Sequence, residues 1–168
     1  MHRRGLLTLG VVSAAALTLG GGALALFEPG LRDGHLAQSG RTVFRAISRA
    51  LLDGSLPAGE GASGRAVDDL LERIDALVAA LPPHSQSELS QLIALLSSAP
   101  GRRLLAGLEV SWERAAIADI QQALQSMRVS SLDLRRQSYQ GLHEIIGSAY
   151  FSDPGTWNFL GYPGPLKI

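Results

Sequence analysis

The sequence VDDLLERIDALVAAL, residues 67–81, decides the fold class of this chain. Charged residues separate its apolar ones, and Asp69 and Arg73 have the i,i+4 spacing that favours an ion pair. Pro82 and Pro83 end the pattern, because proline cannot continue a helix. The apolar residues recur every three or four positions, which predicts a helix with one buried face: Val67, Leu70, Leu71, Ile74, Leu77, Val78 and Leu81.

Four further segments have helical spacing, and no stretch alternates apolar and polar residues as a strand does. Pro100 and Gly101 break the chain between two of them, and residues 102–106 add a short turn. We therefore predict an all-α fold, a compact antiparallel bundle of about five helices. The first of the four segments is 42–53 and the third is 112–127. The second is a helix opened by the capping box Ser85-x-x-Glu88. The fourth is a helix capped by Ser130 or Ser131, whose buried side is formed by Tyr139, Leu142, Ile146 and Tyr150.

The predicted bundle covers residues 41–150, and the segments on either side differ from it in composition. Residues 26–40 contain Pro29, Gly30 and Gly34 and are interpreted as a linker. Residues 151–168 form a tail rich in aromatic residues, proline and glycine. The tail either covers the bundle or presents its aromatic side chains to a partner. Five of the nine aromatic residues of the chain lie between residues 150 and 162: Tyr150, Phe151, Trp157, Phe159 and Tyr162.

The first 25 residues have the order of a twin-arginine export signal. Arg3 and Arg4 directly precede 23 uncharged residues, 5–27, which is the arrangement of a basic and then an apolar signal region. Leu6 and Leu7 stand where such signals carry large apolar residues. We expect the twin-arginine translocase to carry the protein, already folded, to the periplasm.

The end of the apolar region indicates a cleavage site. Ala23 and Ala25 form a small-x-small pattern of the kind that signal peptidases recognise. The alternative is an uncleaved membrane anchor, since about 20 apolar residues can span a bilayer. Three consecutive glycines at 20–22 weaken such a helix.

Composition excludes several classes of protein. Cleavage after Ala25 removes two of the 15 basic residues and none of the 15 acidic ones, which leaves a net charge of −2. A near-neutral domain lacks the basic character of a nucleic-acid-binding protein. The chain has no cysteine, so disulfides, iron–sulfur clusters and thiol catalysis are excluded.

The motifs that carry chemistry are incomplete. Residues 59–64 match G-x-G-x-x-G, but no strand precedes them, so we interpret them as a loop rather than a nucleotide site. His143-Glu144 begins like a zinc-protease motif whose second histidine is replaced by Gly147. The acidic residues of 67–81 are interpreted as a solvated helix face. We therefore assign no catalytic, cofactor-binding or metal-binding residue to this chain.

Two segments resemble a known family. The first is residues 150–165, which read YFSDP, then Trp157, then GYPGP, and the second is residues 45–57, RAISRALLDGSLP. Both are similar to the small subunits of exported flavin dehydrogenases, of the gluconate 2-dehydrogenase subunit 3 type. The tail residues that the resemblance marks for partner binding are Tyr150, Asp153, Pro154, Trp157, Gly161, Tyr162 and Pro163.

The resemblance implies a function through a partner. Such small subunits pair with a large FAD-dependent dehydrogenase of the glucose–methanol–choline type, often beside a c-type cytochrome, and supply the export signal for it. The leading hypothesis is thus a non-catalytic subunit that exports and stabilises a flavoprotein. The alternatives are a membrane-tethered helical scaffold and a stand-alone envelope enzyme.

Overall fold

A computed structural model describes residues 28–161, apart from the side chains of residues 158–160. It confirms an all-α fold, with six α-helices in that range rather than about five. A two-stranded hairpin precedes them, and a 3-10 helix, Pro154–Leu160, follows them. The elements are β1 (Leu31–Arg32), β2 (His35–Leu36), α1 (Gln38–Leu51), α2 (Glu60–Ala79), α3 (Pro83–Ser97), α4 (Ala99–Ala106), α5 (Ile117–Arg128) and α6 (Asp133–Phe151).

The core lies between α1 and the helices around it. Helix α1 packs against α2, α3 and α5, and α6 closes the bundle against α2 and α5. The stripe of α2 faces this core as predicted, although Leu77 is only half-buried. Each fully buried Leu or Ile side chain stabilises the fold by roughly 1.5–3 kcal/mol. The largest side chains at the centre include Phe44, Ile47, Ile93, Met127 and Ile146.

Proline and glycine at 100 and 101 begin a helix instead of breaking the chain. Both lie in the first turn of α4, whose N-cap is Ser98. The hydroxyl of Ser98 accepts a hydrogen bond from the Gly101 N–H at 3.1 Å. The missing N–H of proline costs nothing in a first turn, where that donor has no helical partner. The predicted break at Pro100 and Gly101 was therefore wrong.

Two predicted serine caps were also wrong. Helix α3 begins at Pro83, so Ser85 lies inside its first turn and does not open it. Helix α6 follows Leu132 and has no side-chain cap. Ser130 instead accepts a hydrogen bond from the Leu132 N–H at 3.2 Å, within the turn before the helix.

Trp112 lies outside the helix that was predicted to contain it. Helix α5 begins only at Ile117, and residues 111–116 form turns. Trp112 is buried nonetheless, and its indole N–H donates to the Leu96 carbonyl at 2.7 Å. This bond ties the turn to the last turn of α3, where a free helix carbonyl needs a donor.

The segment predicted as a linker folds against the bundle. Residues 31–36 form the hairpin, and Leu31 and Leu36 are buried. The Leu31 N–H donates to the hydroxyl of Ser90 in α3 at 3.1 Å. Likewise, α2 begins at Glu60, so the glycine-rich stretch 59–64 is mostly helix and not a loop. Both segments belong to the domain.

The acidic face of α2 is largely exposed, as predicted, and three of its carboxylates also contact neighbouring elements. Glu72 pairs with Arg41 of α1 at 2.9 Å, and Asp68 pairs with Arg45 at 2.6 Å. Asp75 accepts hydrogen bonds from the Leu36 N–H at 2.6 Å and from the His35 ring at 2.8 Å. This face of α2 thus aligns α1 and holds the hairpin.

The contact between the hairpin segment and α1 depends on Gly40. A Cβ at this position would lie 2.5 Å from the Gly30 carbonyl oxygen. We expect Gly40→Ala to destabilise the protein by about 1–3 kcal/mol, the usual range for an overpacked site. Gly147→Ala is the matched control, since its Cβ would meet no atom within 4 Å and the change favours a helix by roughly 0.5–1 kcal/mol. Urea unfolding of both variants measures the two effects, and equal stability of the variants would contradict this packing.

Asp75 makes the hairpin contact sensitive to acid. Burial raises the pKa of this carboxyl, but hydrogen bonds from Leu36 and His35 and the charge of Arg41 together lower it below its ordinary value of 3.8. A lowered pKa in the folded state stabilises the protein above pH 3.8, and this stabilisation is lost as the pH falls through the folded-state pKa. At pH 7 we expect Asp75→Asn to cost about 1–3 kcal/mol.

Urea unfolding of the two proteins from pH 7 downwards checks this expectation. The difference in stability between wild type and Asp75→Asn should shrink below pH 3.8. Asp69→Asn, at an exposed position of the same helix, should show a much smaller difference at all pH values. A difference for Asp75→Asn that does not change with pH would contradict the account.

Candidate partner-binding surface

The two segments that carry the family resemblance meet at one end of the bundle. Tyr150, near the end of α6, is buried, and its hydroxyl donates to the Ser55 carbonyl at 3.1 Å. Ser55 lies in the loop 52–59 between α1 and α2, 95 positions earlier in the chain. Burial and the charge of Asp153 raise the pKa of the Tyr150 phenol, so it stays protonated as a donor. Tyr150 was predicted both to be buried in the last helix and to bind a partner; the structure places it in the core of the protein.

Arg73 fixes the carboxyl end of α6. Its Nε donates to the Ala149 carbonyl at 3.0 Å, and its guanidinium lies 3.6 Å from the Asp153 carboxylate. A cation at this position also interacts favourably with the negative end of the α6 dipole. Asp153 is half-buried, and its carboxylate also accepts a hydrogen bond from the Gly155 N–H at 2.8 Å. Asp153, predicted as a partner residue, thus shapes the turn after α6.

Thr156 holds the 3-10 helix on the end of α6. It is buried, and its hydroxyl lies 3.1 Å from the Tyr150 carbonyl and 2.8 Å from the Asp153 carbonyl. The Trp157 indole N–H donates to the Phe151 carbonyl at 2.8 Å. Residues 151–157 therefore fold back onto their own helix. Of the two alternatives for the tail, the first applies to this part of it.

The outer side of this turn presents apolar and aromatic groups. Phe151 is 40% exposed and packs edge-on against Tyr150, with ring centroids 5.1 Å apart. Pro154 is exposed, and Trp157 is partly exposed. Gly161 is exposed and has a φ of +64°, which favours glycine because other residues are strained there. We call Phe151, Pro154 and Trp157 the tail surface.

A cavity of about 530 Å³ opens beside the loop that Tyr150 contacts. Gly54 and Leu56, on either side of Ser55, line it, together with Arg45 and Arg49 of α1. Arginine and aromatic residues are the types that protein interfaces favour. The loop 52–59, this cavity and the tail surface make up the candidate partner-binding surface.

Several predicted site residues lie outside the described residues. They belong to the export signal, the cleavage pattern and the end of the tail: Arg3, Arg4, Leu6, Leu7, Ala23, Ala25, Tyr162 and Pro163. Within residues 28–161, no helix combines the length and the apolar character needed to cross a membrane. Within the same residues, no three histidine or acidic side chains are grouped so that they could hold a metal ion.

Sequence reasoning missed Arg73 and Thr156. Arg73 was interpreted only as a partner of Asp69, yet it flanks the buried stripe, from which a long side chain can reach a neighbouring helix end. The position of Arg73 beside the apolar stripe of α2 could therefore have indicated a contact with a neighbouring helix. Thr156 gave no signal, since a threonine in a segment rich in proline and glycine is ordinary.

Comparison of the chain with protein-family models, with curated proteins and with solved structures gives no match.

We expect Arg73→Leu to loosen the turn after α6 while the bundle stays folded. The substitution removes the hydrogen bond to Ala149 and the ion pair with Asp153, so it should raise amide hydrogen exchange at residues 152–157 by about tenfold. Arg65→Leu, at an exposed position of the same helix, is the matched control and should leave that exchange unchanged. Equal exchange in the two variants would show that Arg73 does not hold the turn.

Proposed function

We propose that this chain is the non-catalytic small subunit of an exported flavin-dependent dehydrogenase. In this proposal it binds a large FAD-containing subunit of the glucose–methanol–choline type, stabilises it and supplies its twin-arginine signal. The complex would work in the periplasm, in some cases beside a c-type cytochrome. FAD would belong to the partner, and this chain would contribute contacts but no catalytic group.

One observation carries the proposal. The two segments that resemble the small-subunit family, 45–57 and 150–165, are far apart in sequence, and the Tyr150–Ser55 hydrogen bond joins them. Residues that share one function through one interface are expected to form one surface. The resemblance alone did not require the two segments to be neighbours in the fold.

The composition of this surface also supports binding to a protein. Contiguous exposed apolar groups often mark interaction sites, and Phe151 lies close in sequence to exposed Pro154 and partly exposed Trp157 in the folded turn after α6. Arg73, Asp153 and Thr156 hold the tail surface in place through the contacts described above. A surface that is already ordered loses little conformational entropy on binding.

The structure changes how the tail would act. Because residues 151–157 are folded onto α6, the tail is not a free strap along this stretch. A partner would instead contact its outer side, Phe151, Pro154 and Trp157, together with the loop 52–59. Tyr150 would act indirectly by joining the tail to that loop.

The test is co-purification of the proposed flavoprotein partner with surface variants of this chain, followed by a flavin absorption spectrum of the complex. We expect Trp157→Ala to weaken the complex by about 2 kcal/mol or more, as truncation of an aromatic hot spot does. Phe151→Ala should act in the same direction. Leu132→Ala is the matched control, because Leu132 is also exposed, at 59%, but lies at the other end of the 19-residue α6, about 28 Å away.

Thermal melts of the free variants separate binding from folding. Trp157 is only partly buried, so its truncation should lower the melting temperature only slightly. A large drop in melting temperature with binding intact would show that Trp157 serves the bundle alone. Equal loss of binding in Leu132→Ala and Phe151→Ala would place the interface elsewhere.

A further inference from the structure

A second cavity, of about 360 Å³, lies beside the start of α1. Gln38 and Thr42 of α1 form one wall, and Ser97 at the end of α3 forms another. Arg102 of α4 and Trp112 of the following turn complete it. The cavity does not share a lining residue with the candidate partner-binding surface, so a ligand in it would bind independently of the proposed partner.

Arg102 is the unusual residue of this cavity. It is only 7% exposed, and arginine is rarely buried to this extent without a partner. One guanidinium nitrogen donates to the Ser97 carbonyl at a long 3.4 Å. Among the described residues, its buried Nε has no hydrogen-bond partner. A buried cation without an anionic partner is costly. Because Arg102 lines the cavity, an oxyanion bound there would offset part of that cost through the guanidinium charge.

The remaining walls suit a small polar molecule. The indole N–H of Trp112 is already bonded to Leu96, which leaves its ring as an apolar face. Thr42, Ser97 and Ser111 contribute hydroxyl-bearing side chains to the lining. The Ser97 hydroxyl already donates to the Ala94 carbonyl at 3.0 Å, so it can only accept from a ligand, whereas a threonine or serine hydroxyl such as those of Thr42 and Ser111 can both donate and accept.

Two carboxylates decide the charge of the ligand. Glu28 and Glu113 also line the cavity, and both residues are exposed. One buried cation with two exposed carboxylates disfavours a doubly charged anion such as phosphate, because like charges repel. The same arrangement favours a molecule that carries an anionic group towards Arg102 and a cationic group towards the opening.

We propose that this cavity binds a small zwitterion of the α-amino-acid class. The carboxylate of the ligand accepts hydrogen bonds from the Arg102 guanidinium, whose planar donors match a carboxylate. The ammonium group of the ligand lies towards Glu28 and Glu113. The side chain of the ligand lies against Trp112 and the hydroxyl-bearing wall.

Isothermal titration calorimetry of the full-length protein tests the proposal with L-serine, L-threonine and L-glutamine as probes. At least one of them should bind at a single site with a dissociation constant of about 1 mM or tighter. Acetate, which carries only the anionic group, and ethanolamine, which carries only the cationic group, should each bind at least about tenfold more weakly. Failure of all three amino acids to bind, or equal binding of acetate, would overturn the proposal.

Variants assign the binding to this cavity. Arg102→Leu should abolish binding, and Arg102→Lys should retain part of it. Arg103→Leu is the matched control, since Arg103 is the next residue of α4 but pairs with Glu109 at 2.7 Å, and it should bind normally. Unchanged binding in a folded Arg102→Leu protein would refute the assignment.

A substitution of Glu113 keeps the test decisive if loss of the buried arginine prevents folding. Glu113 is exposed, so Glu113→Gln should fold normally. This variant should reduce the preference for L-serine over acetate by at least about threefold, with acetate binding unchanged or stronger. A preference equal to that of the wild type would exclude Glu113 from the site and contradict the zwitterion.

Discussion

Burial of the apolar stripe of α2 is the constraint on which the rest of the structure depends. A chain without cysteine has no disulfide to stabilise it, and the stripe of α2 buries Val67, Leu70, Leu71, Ile74 and Val78 in the core. Once the stripe faces the core, the rotation of α2 about its axis is fixed. Its flanking polar residues then point to defined neighbours: Glu72 and Asp68 to α1, Asp75 to the hairpin, and Arg73 to the end of α6.

The sequence predicted the helices from periodicity and was least successful where single residues set boundaries. The stripe of α2 and the buried side of α6 are confirmed, because apolar spacing over several turns reflects the whole core. The Ser85 cap failed because Pro83 starts α3 two residues earlier, and the Ser130 or Ser131 cap failed because α6 follows Leu132 without a side-chain cap. The hairpin was missed because two-residue strands are too short to show alternation, although Asp33-Gly34 between two leucines is a turn signal.

The candidate site was predictable in composition but not in geometry. Helical spacing placed Tyr150 on the buried side of the last helix, yet it could not show that the Tyr150 hydroxyl reaches Ser55 or that Phe151 is exposed beside it. The contact of Arg73 with α6 joins residues 76 positions apart, and no local pattern encodes such a pair. The function proposed for this surface rests on the meeting of the two segments that resemble dehydrogenase small subunits.

The central claim is that this chain carries a flavoprotein out of the cytoplasm, and the most direct measurement is where that flavoprotein is found. Replacing both signal arginines, Arg3→Lys with Arg4→Lys, should leave the dehydrogenase and its bound FAD in the cytoplasm together with this chain. Cell fractionation with assays of dye-linked dehydrogenase activity and of flavin content measures the distribution. The account predicts loss of both from the periplasm, and unchanged periplasmic activity in the double variant would contradict it.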